Sequence, residues 1–192
     1  MFDTDTIHVH DSSPPFKNLL ATGRIQHEPE KEFTSDFAKV YQQRHGCIHS
    51  KTEKRNTVFV REVPISGHGI ADLLVLSWKE SFDIEKITEL GKTKPTIRAF
   101  EVKMTDWRIG LMQAYRYRYY ANTSILVIPK VILPRAASNI GLFQDAQVGL
   151  WGFNPDTKGI TRIYTPRPRS INVGRKPYVR ALETIYKTAK SR

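Results

Sequence analysis

Three charged side chains stand in segments whose hydrophobicity predicts buried strands. Asp72 lies in the apolar run 70–76, and Glu101 and Lys103 lie near the end of the run 96–104. Because side chains alternate between the two faces of a strand, Glu101 and Lys103 point in the same direction. Burying such groups is costly unless they are paired. Two acids on neighbouring strands form a hard-oxygen site suited to Mg²⁺, and a nearby lysine can position water against a phosphodiester.

A polar pair on the next predicted element can support this site. Gln113 and Tyr117 are four residues apart in a segment that predicts a helix, capped by Asp106 and running to about Ala121. Residues at this spacing share one face of a helix. The same segment mixes basic and aromatic residues, which can hold phosphates and stack on bases. These residues are Arg108, Arg116, Arg118, Tyr115, Tyr119 and Tyr120.

The elements that position these residues are predicted from hydrophobic periodicity, caps and turn residues. Predicted helices cover residues 29–44, 106–121, 138–145 and 177–190, and predicted strands cover 57–63, 70–76, 96–104, 123–129, 148–153 and 160–164. A polar insertion at 79–94, with one short helical turn, separates the second and third strands. This order, with hairpins first and helical connections later, predicts an α/β fold with a mixed β-sheet flanked by helices on both faces.

Length and composition define the class of protein. The 192 residues are 40% hydrophobic, enough for one domain with a substantial core. A single cysteine, Cys47, excludes an internal disulfide and fits a reducing compartment. Because we find neither a secretory signal nor an apolar stretch of about 18 residues, we expect a cytoplasmic protein without a membrane partner. The 30 basic and 19 acidic residues give a net charge of +11, which predicts a polyanionic partner.

At the acids and the lysine the chain resembles the PD-(D/E)XK nuclease superfamily, whose members share the restriction-endonuclease-like fold. The match consists of the acid within 69–75, the polar insertion and the Glu-x-Lys motif at 101–103. The Gln-x-x-x-Tyr motif at 113–117 looks like that of the RecB-type and lambda-exonuclease-type branch. Ala71 replaces the proline that is usual in the family. The order of predicted elements over residues 28–165 also resembles the core of that fold.

The resemblance implies a metal-dependent DNA nuclease that uses Mg²⁺ or Mn²⁺. One cysteine cannot ligate the iron–sulfur cluster found in a subset of the RecB-like branch, so we expect no such cluster. In the family's scheme the two acids bind the metal, here with the backbone carbonyl of Val102, and the lysine positions or activates the attacking water. The last two residues of the motif support the site. By resemblance, the catalytic residues are Asp72, Glu101, Lys103, Gln113 and Tyr117.

Several other residues have both a functional and a structural interpretation. The family often adds an acid from its first helix, which makes Glu30 a candidate ligand, but capping of the helix dipole explains this residue equally well. Glu62 lies close to the Asp72 strand and is more simply a strand-edge acid. His68 is more simply a turn residue than a phosphate contact. The sequence around Cys47, with a histidine two residues away on each side, matches no short zinc signature.

The resemblance and the charge distribution predict three regions. We expect a loosely ordered N-terminal arm at 1–27, a nuclease-like core at 28–165 and a basic C-terminal extension with a terminal helix at 166–192. DNA is the expected partner, and its binding should weaken steeply with added salt because counterions are released. The residues expected to contact DNA are Arg108, Arg116, Arg118, Arg167, Arg169, Arg175 and Lys176.

Two other functions compete with the nuclease hypothesis. A restriction-endonuclease-fold module that is catalytically inactive would bind nucleic acid or take part in assembly without needing metal ligands. An unrelated basic α/β protein that binds RNA would carry the motifs by chance. The sequence leaves open whether a nuclease would be an endonuclease or an exonuclease. By resemblance, a homodimer or a larger nucleic-acid-processing complex is plausible.

Overall fold

Six strands form one sheet in the part of the chain that the computed structural model describes, which is residues 28–45, 55–79, 95–171 and 176–190. Their order in the sheet is their order in the chain. The strands are β1 Arg55–Ile65, β2 Gly69–Lys79, β3 Thr96–Val102, β4 Thr123–Pro129, β5 Gly149–Asn154 and β6 Gly159–Tyr164. The helices are α1 Glu28–His45, α2 Trp107–Tyr117, α3 Leu133–Ala137, α4 Ile140–Ala146 and α5 Lys176–Lys190.

The sheet is mixed. The pairs β1–β2, β2–β3 and β5–β6 are antiparallel, whereas β3–β4 and β4–β5 are parallel. Short turns join the antiparallel pairs β1–β2 and β5–β6, and each of the two parallel pairs is linked through a helical connection, as parallel pairing requires. The predicted α/β class with a mixed sheet is therefore confirmed.

Helices cover the sheet from two sides. On one face, Phe33, Phe37 and Tyr41 of α1 pack against Phe100 of β3 and Trp151 of β5. The opposite face carries two further apolar clusters; α2 contributes to both of them, and α5 contributes to one. The C-terminal helix buries Tyr178, Ala181, Leu182 and Ile185 against β1 and β2. This arrangement leaves the ends of the strands as the places where polar side chains can gather.

Two predicted boundaries near the charged residues are wrong. β3 ends at Val102 instead of Met104, so Lys103 follows the strand, although its N–H still donates to the carbonyl of Val127 at 3.0 Å. α2 ends at Tyr117 instead of about Ala121, because a turn follows in which the N–H of Ala121 donates to the carbonyl of Tyr117 at 2.8 Å.

Other differences lie away from these strand ends. The helix predicted at 138–145 corresponds to α4, whereas α3 was not predicted; it has Pro134 in its first turn, where proline is tolerated. The predicted arm at 1–27 and the helical turn of the insertion, within 80–94, lie outside the described residues. None of the described helices is long and apolar enough to cross a membrane.

The position of α2 over the sheet depends on a cap and a glycine. The carboxylate of Asp106 accepts hydrogen bonds from the N–H groups of Arg108 at 3.0 Å and Ile109 at 3.2 Å, which confirms the predicted cap. Gly110 faces the sheet, where an added Cβ would lie 2.5 Å from Cδ1 of Leu126 and 2.8 Å from Cγ of Lys103. The helix can therefore lie directly on the stem of Lys103.

We expect Gly110→Ala to destabilise the protein even though alanine is a better helix former. The gain in helix propensity is about 1 kcal/mol, whereas overpacking a core costs about 1–3 kcal/mol and here affects two side chains. Urea unfolding should therefore give a lower free energy of unfolding. The matched control is Gly141→Ala in α4, where no atom lies within 4 Å of the new Cβ, so this variant should be more stable by about 0.5–1 kcal/mol. Stabilisation in both variants would contradict the close approach of α2.

Candidate active site

The candidate site begins where β2 and β3 separate. The backbone register of these strands runs from Ser77 opposite Thr96 to Leu73 opposite Phe100. Beyond this last backbone pair, Oδ2 of Asp72 accepts a hydrogen bond from the N–H of Val102 at 2.7 Å. A side-chain oxygen of β2 is therefore the acceptor here, in place of a backbone carbonyl. Asp72 is fully buried, and this bond fixes its carboxylate beside the end of β3. Val102, whose carbonyl is the predicted ligand, is therefore held beside the first acid through its N–H.

Glu101 is the second buried acid at this point. Its side chain is fully inaccessible, and Oε2 accepts a hydrogen bond from the hydroxyl of Tyr117. That hydroxyl also lies 2.7 Å from the carbonyl oxygen of Ile70 in β2. Burial raises the pKa of Tyr117 well above its ordinary value, and the negative charge of Glu101 raises it further. The phenol therefore keeps its proton and remains a donor to the acid.

Lys103 lies between acids from two different elements. Its Nζ is 3.0 Å from Oε1 of Glu30 and 3.9 Å from Oε1 of Glu101. Lys103 and Glu30 are mostly buried, with 15% and 14% of their side chains exposed. The first turn of α1 thus brings Glu30 into contact with Lys103. Stabilisation of the helix dipole alone does not account for this position of Glu30. Of the two further acids considered, Glu62 stays outside: its side chain is 56% exposed and lies 3.9 Å from Arg61.

The backbone of β1 is unusual beside these acids. Glu62 has φ of 54°, a left-handed conformation that is uncommon for residues other than glycine. In the register of β1 and β2, Arg61 lies opposite Leu73 and Val63 opposite Ala71, so the backbone of Glu62 lies next to that of Asp72. Backbone conformations of this kind cost about 1–3 kcal/mol and occur preferentially at functional sites. This irregularity, like the buried acids, is a feature that functional sites often have.

The formal charges of the four side chains at this site sum to a negative value, which would favour a bound cation. Three carboxylates, those of Glu30, Asp72 and Glu101, count −3, and the ammonium of Lys103 counts +1, so the sum is −2. In the described part of the chain, no three acidic, histidine or cysteine side chains form a metal cage by themselves. Mg²⁺, however, keeps several waters and takes only one or two carboxylates from a protein. Asp72 and Glu101 match that requirement in number and in oxygen chemistry, and both side chains are fully buried.

Tyr120 belongs to the site region and was not predicted as a site residue. The sequence indicated a base-stacking aromatic, which is wrong, because the side chain is fully buried. Burial, followed by the charges of Glu101 and Asp72, raises its pKa well above the ordinary value, and its hydroxyl has no hydrogen-bond partner among the described residues. Its spacing of three residues from Tyr117 is the signal that it shares that residue's face.

The remaining predicted site residues occupy α2 and its surroundings. Gln113 is partly buried one helical turn before Tyr117. Arg108 and Arg116 are exposed, and the guanidinium of Arg108 stacks 4.4 Å from the ring centre of Trp107. Arg118 donates to the carbonyl of Ala146 at 2.8 Å and so also holds the end of α4.

Among the described C-terminal residues that were predicted to bind DNA, one lies beside a predicted DNA-binding arginine at the end of α2. Arg169 and Arg118 line one cleft of about 210 Å³ together with Tyr115 and Tyr119. Arg167 is exposed after β6, and Lys176 is exposed at the start of α5. Arg175 lies outside the described residues. The cleft brings two of the predicted phosphate contacts together.

Comparison of the sequence with protein-family models and with curated proteins gives no match in either case. The chemistry of the site is therefore argued from its own residues.

We expect Glu101→Gln to stabilise the protein when no divalent ion is present. The amide oxygen still accepts the hydroxyl of Tyr117, and one of the two charges buried side by side is removed. Removing one of two like charges from a buried group relieves their repulsion, and Lys103 keeps its nearer partner Glu30, so we expect a gain of about 1–2 kcal/mol. Urea unfolding in EDTA measures this change. Glu32→Gln on the exposed side of α1 is the matched control and should stay within about 0.5 kcal/mol. A loss of stability in Glu101→Gln would mean that the charge of Glu101 stabilises the fold.

Proposed function

We propose that the protein is a metal-dependent nuclease that hydrolyses phosphodiester bonds of DNA, built on a restriction-endonuclease-like sheet. The observation that carries this proposal is the pair of fully buried acids, Asp72 and Glu101, with the ammonium of Lys103 3.9 Å from Glu101. Each acid accepts a hydrogen bond at this strand end, but a neutral acceptor could do the same without the cost of burying a charge. The chemistry of the pair suits a divalent ion and a phosphate.

Asp72 and Glu101 would hold the ion, with the carbonyl of Val102 as a further ligand. When bound, Mg²⁺ or Mn²⁺ supplies Lewis-acid chemistry, lowering the pKa of water and neutralising charge on the phosphate. The hydrogen bond between Val102 and Asp72 and that between Tyr117 and Glu101 fix both carboxylates before any ligand arrives. Preorganised charge of this kind needs no rearrangement during the reaction.

Lys103 positions the attacking water or activates it. Its stem is held under Gly110, and its ammonium is paired at 3.0 Å with Glu30. The pairing restricts where the remaining protons of the ammonium point, because an ammonium has three donors. An acid from the first helix is also what the resemblance to the PD-(D/E)XK superfamily implies. Glu30 therefore serves as a positioning residue for the lysine in this proposal.

Two features near α2 support DNA as the substrate. Arg108 and Arg116 are exposed on this helix, and Arg118 and Arg169 share a cleft with two tyrosines. Arginine guanidinium groups bind phosphates, and tyrosine rings stack on bases. The order of α1, β1, β2, β3, α2 and β4 supports the fold assignment, since it repeats the helix and strand order of the family resembled.

A nucleic-acid-binding module without catalysis is the second candidate function. The observation that favours it is the complete burial of both acids. Of the three side chains Asp72, Glu101 and Lys103, that of Lys103 is the most accessible, with 15% exposed. Such a module would bind DNA through the same arginines and would show no cleavage with any divalent ion.

We expect the wild-type protein to cleave labelled plasmid or linear DNA with Mg²⁺ or Mn²⁺. Lys103→Ala and Asp72→Ala should lower the rate at least about a hundredfold, because each removes a group from the reacting centre. Lys130→Ala, an exposed lysine after β4, is the matched control and should cleave like the wild type. Cleavage by all variants at the same rate would show a contaminating activity and refute the proposal. DNA binding without cleavage by the wild type would favour the binding module.

A further inference from the structure

The outer face of α2 and of the turn after it carries exposed side chains of two kinds only. The buried residues of the helix face the sheet, and the exposed ones are either apolar or basic. The large apolar residues are between 43% and 61% exposed, and exposed apolar groups collected on one face mark interaction sites. The α2 strip consists of Arg108, Ile109, Met112, Tyr115, Arg116 and Tyr119.

The charge of the α2 strip has one sign. The helix contains no acidic residue, so its own sequence supplies no carboxylate against Arg108 and Arg116. Burial lowers the pKa of His68, and the positive charge of Arg116 lowers it further, so Arg116 lies close to the turn between β1 and β2. A surface that combines positive charge with exposed apolar groups favours an anionic partner that also has apolar parts.

Tyr119 is supported on one face of its ring. The ring of His68 stacks on it with 5.2 Å between the centroids and 29° between the planes. His68 is held in its turn, because its N–H donates to the carbonyl of Ile65 at 2.8 Å. Tyr119 is nevertheless 51% exposed. A ring that is fixed from one side and exposed to this extent offers a platform on which another flat group can stack.

Tyr115 forms a second platform, one helical turn before the first. The guanidinium of Arg118 lies 5.4 Å from the centre of its ring, and Arg118 is held by the carbonyl of Ala146 at 2.8 Å. Tyr115 is 43% exposed. Both tyrosines line the cleft of about 210 Å³, so the two platforms are neighbours, as the spacing of four residues requires.

These platforms lie at the same end of β2 as the buried acids. His68, which stacks on Tyr119, precedes Ile70 by two residues. The carbonyl of Ile70 lies 2.7 Å from the hydroxyl of Tyr117, and that hydroxyl donates to Glu101. A ligand on the platforms would therefore lie near the candidate active site.

We propose that the α2 strip binds single-stranded DNA, with bases stacked on Tyr115 and Tyr119 and phosphates on Arg108 and Arg116. Stacking on a ring needs the open face of a base, whereas a duplex presents only base edges and backbone. Aromatic rings beside basic groups bind single strands in this way. That the strand is DNA rests on the proposed function, for which this inference names the substrate as a single strand.

The test is fluorescence anisotropy with a labelled oligothymidylate and a labelled blunt duplex of the same length. EDTA is present, so that no divalent ion supports cleavage. We expect the full chain to bind the single strand at least about tenfold more tightly than the duplex, because only the single strand offers base faces to the tyrosines. Binding of the duplex as tightly as the single strand would overturn the proposal.

Two pairs of variants locate the binding on the α2 strip. Tyr119→Leu keeps an apolar side chain but loses the ring, so it should weaken single-strand binding at least about fivefold, whereas Tyr119→Phe keeps the ring and should bind as the wild type does. Arg116→Gln should weaken binding more than Arg135→Gln, which removes the same charge from an exposed position on α3. Wild-type affinity in Tyr119→Leu would contradict the proposal.

A measurement on the wild-type protein decides the matter if Tyr119→Leu fails to fold. Photocrosslinking of an oligonucleotide that contains 5-iododeoxyuridine, followed by peptide mass spectrometry, should label Tyr115 or Tyr119. Crosslinks only at other residues would refute the site, and so would a dimer that Tyr119→Leu dissociates in a protein that binds no single strand, since the α2 strip would then be a contact between copies of the chain. None of these results depends on cleavage, so failure of this proposal is distinguishable from failure of the nuclease proposal.

Discussion

The structure around the acids is governed by the cost of burying two carboxylates side by side. Asp72 and Glu101 are both inaccessible to water, and a charge without compensation at such a depth is strongly unfavourable. Asp72 accepts a hydrogen bond from the N–H of Val102, and Glu101 accepts one from the hydroxyl of Tyr117. The ammonium of Lys103 compensates only part of the charge, because it is shared with Glu30.

The surrounding elements are arranged so that these donors meet at one point. α1 packs on one face of the sheet and brings Glu30 around its end, while α2 packs on the other face and brings Tyr117. Gly110 lets α2 lie against the stem of Lys103. The packing of the two helices on the hydrophobic core therefore determines where the charged groups lie.

Much of this arrangement could be predicted from the sequence because it depends on local patterns. Apolar strands and a capped helix are read from hydrophobicity and spacing, and an acid inside such a strand is conspicuous. The contact between Glu30 and Lys103 could not be derived in this way, since 73 residues separate the partners and only the packing of α1 brings them together. The same applies to the stacking of His68 on Tyr119, which joins the turn between β1 and β2 to the turn after α2. The burial of Tyr120 depends on where α2 ends, and helix ends are poorly determined by periodicity.

The central claim is that the buried acids form a site for a divalent ion. Calorimetric titration of the DNA-free protein with Mg²⁺ or Mn²⁺ tests this claim most directly. The account predicts saturable binding that Asp72→Asn weakens at least tenfold, because the amide can still accept the N–H of Val102 but has lost the charge. Asp156→Asn, at an exposed turn after β5, should bind as the wild type does. No saturable binding by the wild type, or equal binding by Asp72→Asn, would contradict the account.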